Sequence, residues 1–352
     1  MMRILIYSVW AGAAALAGGV AISGGVAFAG EVSREERAEA VEALAVKLET
    51  KYSVPELGRR MAGRLRERAS AGAYDGVSGG EELARLLTAD MYEVGRDLHL
   101  RVGYSAAPRA ARQERVGPPP DFRARLERAN FGVAKVEILP GNIGYVDLRF
   151  FAEAAWAAET YQSVFGLVAH TDALIVDLRE NRGSMSFDAV PLFSSYLFAE
   201  PVHLVDFYWR PTGETRQSWT YAYVPGRRYL DKPVYLLTSG RTFSGAEEFA
   251  LDLQALKRAV VVGETTGGGA NPGGTERLTD HLSVWLPVGV VTNAATKGNW
   301  EGTGVEPDVK VEAARALEEA RRIALRKMIG AARDEERRGA LLRELEALGG
   351  KP

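Results

Sequence analysis

Residues 233–267 read PVYLLTSGRTFSGAEEFALDLQALKRAVVVGETTG. A short apolar run, Val234 to Leu237, leads into Thr238, Ser239 and Gly240. Beyond Ser244 the pattern becomes helical, with Ala246, Phe249, Ala250 and Leu253 on one face, and a second apolar run spans Ala259 to Val262. Strand, turn, helix and strand in that order predict one crossover of a parallel sheet. Ser244 falls where the helix begins, and free backbone N–H groups there favour negative charge. That position supports two readings. Ser244 is a helix N-cap with Glu247 closing a capping box, or it is a nucleophile on a sharp strand-to-helix turn.

Working outward, Ala173 to Leu178 is a buried-strand pattern that ends in Arg179, Glu180, Asn181, Arg182 and Gly183. Polar residues and glycine just past a parallel strand mark the edge where α/β proteins hold ligands. Val133 to Leu139 and Ile143 to Leu148 read as strands around a turn at 140–142, and Phe151 to Val168 and Phe187 to Phe198 as helices. Val202 to Phe207 and Trp219 to Val224 read as shorter strands. Leu282 to Leu286 and Val290 to Thr292 are expected to pair across 287–289. This alternation predicts an α/β core. The glycines of 264–274 either let backbone approach a ligand or make a plain flexible loop. No Gly-Lys-Ser/Thr follows them, which excludes a phosphate loop. Residues 299–308, dense in glycine and acid, form either an exposed turn or a loop holding a functional carboxylate.

The N-terminal part differs in character. Ser33 to Glu36, Ser53 to Glu56 and Ser78 to Glu81 are three helix-start signals, so 31–96 is expected to be a small helical domain without chemistry of its own. Asp97 to Val102 alternates as a strand, with His99 on its polar side. Ala106 to Pro120 is a basic, proline-rich loop. From Ala313 the chain is helical and strongly charged. His170, His203 and His281 lie in no ligand or base pattern and read as surface or loop residues.

Met1 to Arg3 is a short basic start, residues 4–28 carry no charge, and Ala27-Phe28-Ala29 fits a small-x-small cleavage pattern. The expectation is a signal peptide over 1–29, cut after Ala29, with an uncleaved anchor through 4–28 as the alternative. Either places the folded part outside the cytoplasm, periplasmic or secreted. Lys and Arg number 44 against 46 acidic residues, a net charge of −2 with no nucleic-acid footprint. Cysteine is absent, which excludes disulfides, thiolate nucleophiles and cysteine zinc sites.

The pieces DLH at 97–99, IVDLRENRG at 175–183, LLTSGRTFSGAEEFA at 236–250, VVGETTGGGANPG at 261–273 and NWEGTGVEPDV at 299–309 together resemble the tail-specific, or C-terminal processing, peptidase family. The likeness is to the branch that includes tricorn core proteases and the repeats of interphotoreceptor retinoid-binding protein, and it covers roughly residues 35–312. The resemblance implies a ClpP/crotonase-like α/β domain over 97–312 and a charged C-terminal segment over 313–352. By position, Ser244 resembles the nucleophile, His99 the general base and Glu301 the carboxylate that orients it. Gly183 and Gly245 resemble the oxyanion donors. A protein or peptide substrate is implied, with no cofactor and no metal. These roles suit the residue types: a serine hydroxyl needs a base, histidine serves near neutral pH, and paired amides hold an oxyanion. An unperturbed histidine base would make kcat/KM rise through roughly pH 6 to 7.5.

The sequence departs from the family pattern in three places. The loop 266–269 lacks the lysine of the Ser–Lys members, which favours histidine as base and leaves Lys297 as the lysine to test. Leu98 stands where tricorn has serine. Gly183 is followed by Ser184, where the family often has two glycines. No PDZ domain fits between Val102 and Val133. The alternative reading is a noncatalytic ligand- or peptide-binding protein on the same fold. The sequence does not fix an oligomeric state.

Overall fold

The computed structural model describes residues 30–108 and 121–350. The expected signal peptide and anchor stretch, and most of the basic proline-rich segment, lie outside the described residues. Among the described residues, no helix is long and apolar enough to cross a membrane.

The helices in chain order are α1 (Arg34–Lys51), α2 (Pro55–Ser70), α3 (Gly80–Gly95), α4 (Phe122–Arg128), α5 (Ala154–Val168), α6 (Ala189–Ser195), α7 (Gly245–Ala255), α8 (Ala316–Ala331) and α9 (Glu335–Ala347). The strands are β1 (Arg101–Tyr104), β2 (Val133–Leu139), β3 (Ile143–Leu148), β4 (Ala173–Asp177), β5 (His203–Trp209), β6 (Glu214–Trp219), β7 (Val234–Thr238), β8 (Val260–Gly263), β9 (Gly273–Arg277), β10 (Leu282–Pro287), β11 (Gly289–Asn293) and β12 (Val309–Lys310).

The chain divides into two compact units. Among the described residues, the first comprises 30–108, 208–215 and 271–290. Its helices begin where the sequence signals them. Ser33 caps α1, its hydroxyl accepting Glu36 N–H at 3.1 Å, and Pro55 opens α2. α3 starts at Gly80 with no side-chain cap. The helices share one apolar core with β1 and β10, in which Leu44, Leu48, Met61, Leu65, Leu87, Val102, Leu282 and Val284 are buried. β1, β10 and β9 form an antiparallel sheet in that order. The helical residues 31–96 therefore pack with strands distant in sequence. The expected pairing of 282–286 with 290–292 is corrected: β10 pairs with β1 and β9, and β11 with β5. β9 lies at the end of the glycine-rich run, where glycines conceal a strand pattern.

Among the described residues, the second unit comprises 121–207, 216–270 and 291–350. Its six-stranded sheet has the order β12-β8-β7-β4-β3-β2. Every neighbouring pair is parallel except the β2–β3 hairpin. Strands β3, β4 and β7 are buried along their whole length, as the near-continuous apolar runs require. α8 and α9 add Ala320, Ala324, Leu325, Leu341 and Leu345 to a core on one face. α5, α6 and α7 contribute Tyr161, Phe165, Phe193 and Phe249, whose rings interlock with that of Phe151 just before α5. The expected strand 219–224 is not formed: β6 ends at Trp219, and Thr220 turns back to bond Val202 through both its N–H and its hydroxyl. The expected architecture, an α/β core with a small N-terminal helical region, holds, and no PDZ domain is present among the described residues. Between β1 and β2 the described residues contain only α4 and one 3-10 turn.

Candidate active site

Loops leaving the carboxyl ends of β4, β7 and β8 converge in the second unit. The β7 loop ends on Ser244, whose backbone stands at φ 55°, ψ −126°. An ordinary N-cap has extended, negative-φ backbone, and positive φ is costly for a residue with a Cβ. Ser244 caps α7 in a capping box with Glu247, and its backbone conformation is also the one a sharp strand-to-helix turn takes at a nucleophile. Three bonds lace the turn to the β4 loop: Ser239 Oγ to Arg179 O at 2.6 Å, Thr242 Oγ1 to Leu178 O at 2.8 Å, and Phe243 N to Asn181 O at 3.0 Å.

Gly183 lies against Ser244. Its φ is +117°, and a Cβ there would stand 2.8 Å from Ser244 Cβ and 3.2 Å from Gly245 N. Only glycine fits such an approach. Its N–H, however, is donated to Asn181 Oδ1 at 2.9 Å. Gly245 opens α7, and its N–H has no hydrogen-bond partner among the described residues. A Cβ on Gly245 would stand 2.5 Å from Ser184 Oγ.

Glu247, fully buried, joins the turn to the β8 loop. Its Oε2 accepts the N–H groups of Ser244 and Gly269, each at 2.8 Å. Its Oε1 accepts Thr266 Oγ1 at 2.5 Å and Gly268 N–H at 2.6 Å. Burial pushes its pKa up to about 7, against the pull of those four donors. The sequence marked Glu247 only as part of a capping box. The donors from 266–269 are invisible to a local pattern.

The glycine-rich loop is thus a fixed part of the site. Gly268 has φ +84°, and a Cβ on it would meet the backbone of Thr303 and Gly304 at 3.1 Å. Gly302 N–H bonds Gly268 O at 2.8 Å, and Trp300 Nε1 bonds Gly269 O at 3.1 Å. Glu301, half-buried, accepts Ala270 N–H on Oε2 at 2.8 Å. The carboxylate expected in 299–308 is therefore set on this loop, within the same unit as Ser244. Behind the turn, Asp252 of α7 accepts Asn293 Nδ2 at 2.7 Å. Asn293 Oδ1 in turn accepts Ala295 N, Thr296 N and Thr296 Oγ1. Glu248 and Asp252, one helical turn apart and buried, are both held well above the usual carboxylate range by burial.

His99 belongs to the first unit. The expected strand from Asp97 is corrected: β1 starts at Arg101. Asp97, buried, accepts His99 N–H at 2.9 Å and Leu100 N–H at 3.3 Å on Oδ1, which bends the chain, and Tyr52 Oη at 2.8 Å on Oδ2. The His99 ring stacks on Trp285, with centroids 4.8 Å apart and planes at 23°. The residue keeps partial exposure, while Nδ1 is shielded from solvent. Burial, then the Arg101 cation, push its pKa down to about 4. Leu98 is 52% exposed, and Lys297 is exposed on a left-handed turn, φ 58°.

The other histidines have structural partners. His203 Nε2 meets Asp206 Oδ1 at 3.0 Å, and its ring stacks on Trp219. His281 Nδ1 lies 3.0 Å from Ser105 O, and His170 sits beside Arg227.

Two family descriptions match the chain. Residues 142–311 match "Peptidase family S41", and residues 32–139 match "N-terminal domain of Peptidase_S41 in eukaryotic IRBP". Among solved structures, a putative peptidase from Parabacteroides merdae is similar at 20% identity and TM-score 0.58, over 85% of this chain and 98% of that one. A lipoprotein from Streptococcus agalactiae gives 16%, 0.55, 83% and 96%. The tricorn protease gives 13%, 0.51, 89% and 37%. At such identities the likeness is one of fold. The family matches agree with the resemblance carried by the five sequence pieces.

Proposed function

Because the chain belongs to peptidase family S41, we propose that it is a serine peptidase in which Ser244 is the nucleophile, His99 the general base and Glu301 the carboxylate that orients the base. The observation that carries this reading is the positive-φ turn at Ser244, backed by a glycine wall at Gly183 and an open helix N-terminus at Gly245. An N-cap alone has no need of that strain.

In the proposed reaction His99 takes the Ser244 proton as Oγ attacks the substrate carbonyl. The oxyanion forms beside Gly245 N–H. Collapse expels the amine, which takes the proton from imidazolium, and water repeats the sequence on the acyl-enzyme. Histidine rather than lysine as base is supported by the loop 266–269, which carries only Thr and Gly where the Ser–Lys members carry their lysine. We further propose that the protein works outside the cytoplasm, on the strength of the uncharged stretch 4–28 and the small-x-small site ending at Ala29.

The test is fluorophosphonate labelling with hydrolysis of an unstructured casein peptide. Wild type should label and turn over. Ser244→Ala should do neither while keeping its circular dichroism and thermal midpoint. Undiminished turnover by Ser244→Ala would place the chemistry elsewhere.

A further inference from the structure

Gly183 and Ser184 contribute unequally to the Ser244 wall. Gly183 O accepts Phe151 N–H at 2.9 Å, and Met185 N–H returns to Phe151 O at 2.8 Å, so Phe151 and Ser184 form a parallel bridge. In extended backbone, successive residues direct their polar groups to opposite edges. With Gly183 O and Met185 N–H turned to Phe151, the N–H of Ser184 turns away from it. A Cβ on Gly245 would lie 2.9 Å from Ser184 N and 2.5 Å from Ser184 Oγ, so both atoms line the start of α7. Neither has a hydrogen-bond partner among the described residues. Gly183 N–H, the amide expected by position to hold an oxyanion, is bonded to Asn181.

We propose that the oxyanion hole is built from Gly245 N–H, Ser184 N–H and the Ser184 hydroxyl, with Gly183 serving as the close-packed wall. Ser184 is then a catalytic residue, and the hydroxyl is a donor that a second glycine could not supply. This rests on the peptidase reading of Ser244. The chemistry is that of any preorganised donor set: three donors converge beside the nucleophile, on its glycine wall, where negative charge develops on the carbonyl oxygen. Ser184 is half-buried and unpaired, so it needs no rearrangement to donate.

The test compares wild type, Ser184→Ala, Ser184→Gly and Ser244→Ala on the casein peptide. A peptide trifluoromethyl ketone, whose adduct carries an oxyanion, serves as the inhibitor. Both Ser184 variants should lose on the order of 10- to 100-fold in kcat with KM unchanged. Inhibitor affinity should fall by the same factor, with an unchanged thermal midpoint. Full activity in Ser184→Gly, or a loss confined to KM, would overturn the hydroxyl's role while Ser244→Ala still showed the peptidase reading intact. A wild type that neither labels nor hydrolyses would bring down both.

Discussion

Glu247 Oε2 accepts the N–H of Ser244 at 2.8 Å and the N–H of Gly269 at the same distance. One buried carboxylate therefore fixes the backbone of the proposed nucleophile and the loop that carries Ala270, the donor to Glu301. Side chains on two different loops are held in register through a group that need not touch substrate. Glu247 is in this sense a positioning residue.

Glu247→Gln keeps the shape but turns an amide N–H₂ toward backbone donors. It should cost about 1–3 kcal/mol of stability, the usual penalty for buried groups left unpaired. It should also lower kcat by about 10-fold or more through displacement of the turn. Urea denaturation measures the first and steady-state kinetics the second. A wild-type kcat with a lowered denaturation midpoint would confine Glu247 to stability.

Gly183→Ala tests the wall. The new methyl would lie 2.8 Å from Ser244 Cβ and 3.1 Å from Phe243 O, at φ +117°. Backbone strain and overlap add, so a loss of about 2–4 kcal/mol is expected, together with loss of labelling. An alanine variant that labels at the wild-type rate would show that the loop moves away freely.

Much of the second unit was legible because parallel strands announce themselves. Val234 to Leu237 is an unbroken apolar run, Ile143 to Leu148 and Ala173 to Leu178 are apolar but for Asp147 and Asp177, and each became a buried strand. Ser244 and Glu301 stood out by motif, and the motif left cap and nucleophile open; Ser244 caps α7 in a capping box with Glu247 and does so at φ 55°, a conformation the motif does not reveal. What the sequence concealed is long-range. Gly273 to Arg277 has no strand pattern because it reads GGTER, without an apolar side chain, and its pairing with β10 is what makes it a strand. Asp97 bends the chain at His99 by bonding two amides, which apolar alternation at 98, 100 and 102 disguised as a strand. The Gly183 N–H was expected at the oxyanion and is held instead by a side chain two residues earlier.

Glu248 and Asp252 predict the alkaline side of stability. Their folded pKa values lie above the unfolded ones because burial disfavours charge. The folded state therefore holds protons that the unfolded chain has released. The stability this provides is complete below the ordinary carboxylate range and is lost as pH rises through the folded values. The thermal midpoint should fall on going from pH 5 toward alkaline pH, and Asp252→Asn should flatten that fall. An Asp252→Asn curve parallel to wild type would remove this pair as the cause.

His99 predicts the acid limb of activity. With its pKa pushed down to about 4 by burial and by Arg101, the imidazole stays neutral through the range where an unperturbed histidine would titrate, so the expected rise at pH 6 to 7.5 moves down to about pH 4. Glu247, pushed up to about 7, adds a separate partial step near neutrality: as pH falls it gains a proton and one oxygen stops accepting. kcat/KM should therefore fall in two steps as pH drops, partly near 7 and completely near 4. Arg101→Gln removes the repelling cation, so only the lower step should move upward. Lys297→Ala, which alters an exposed turn, should leave both steps in place, whereas His99→Ala should abolish turnover. A dead Lys297→Ala beside an active His99→Ala would assign the base to lysine and leave Ser244 as the only member of the proposed triad.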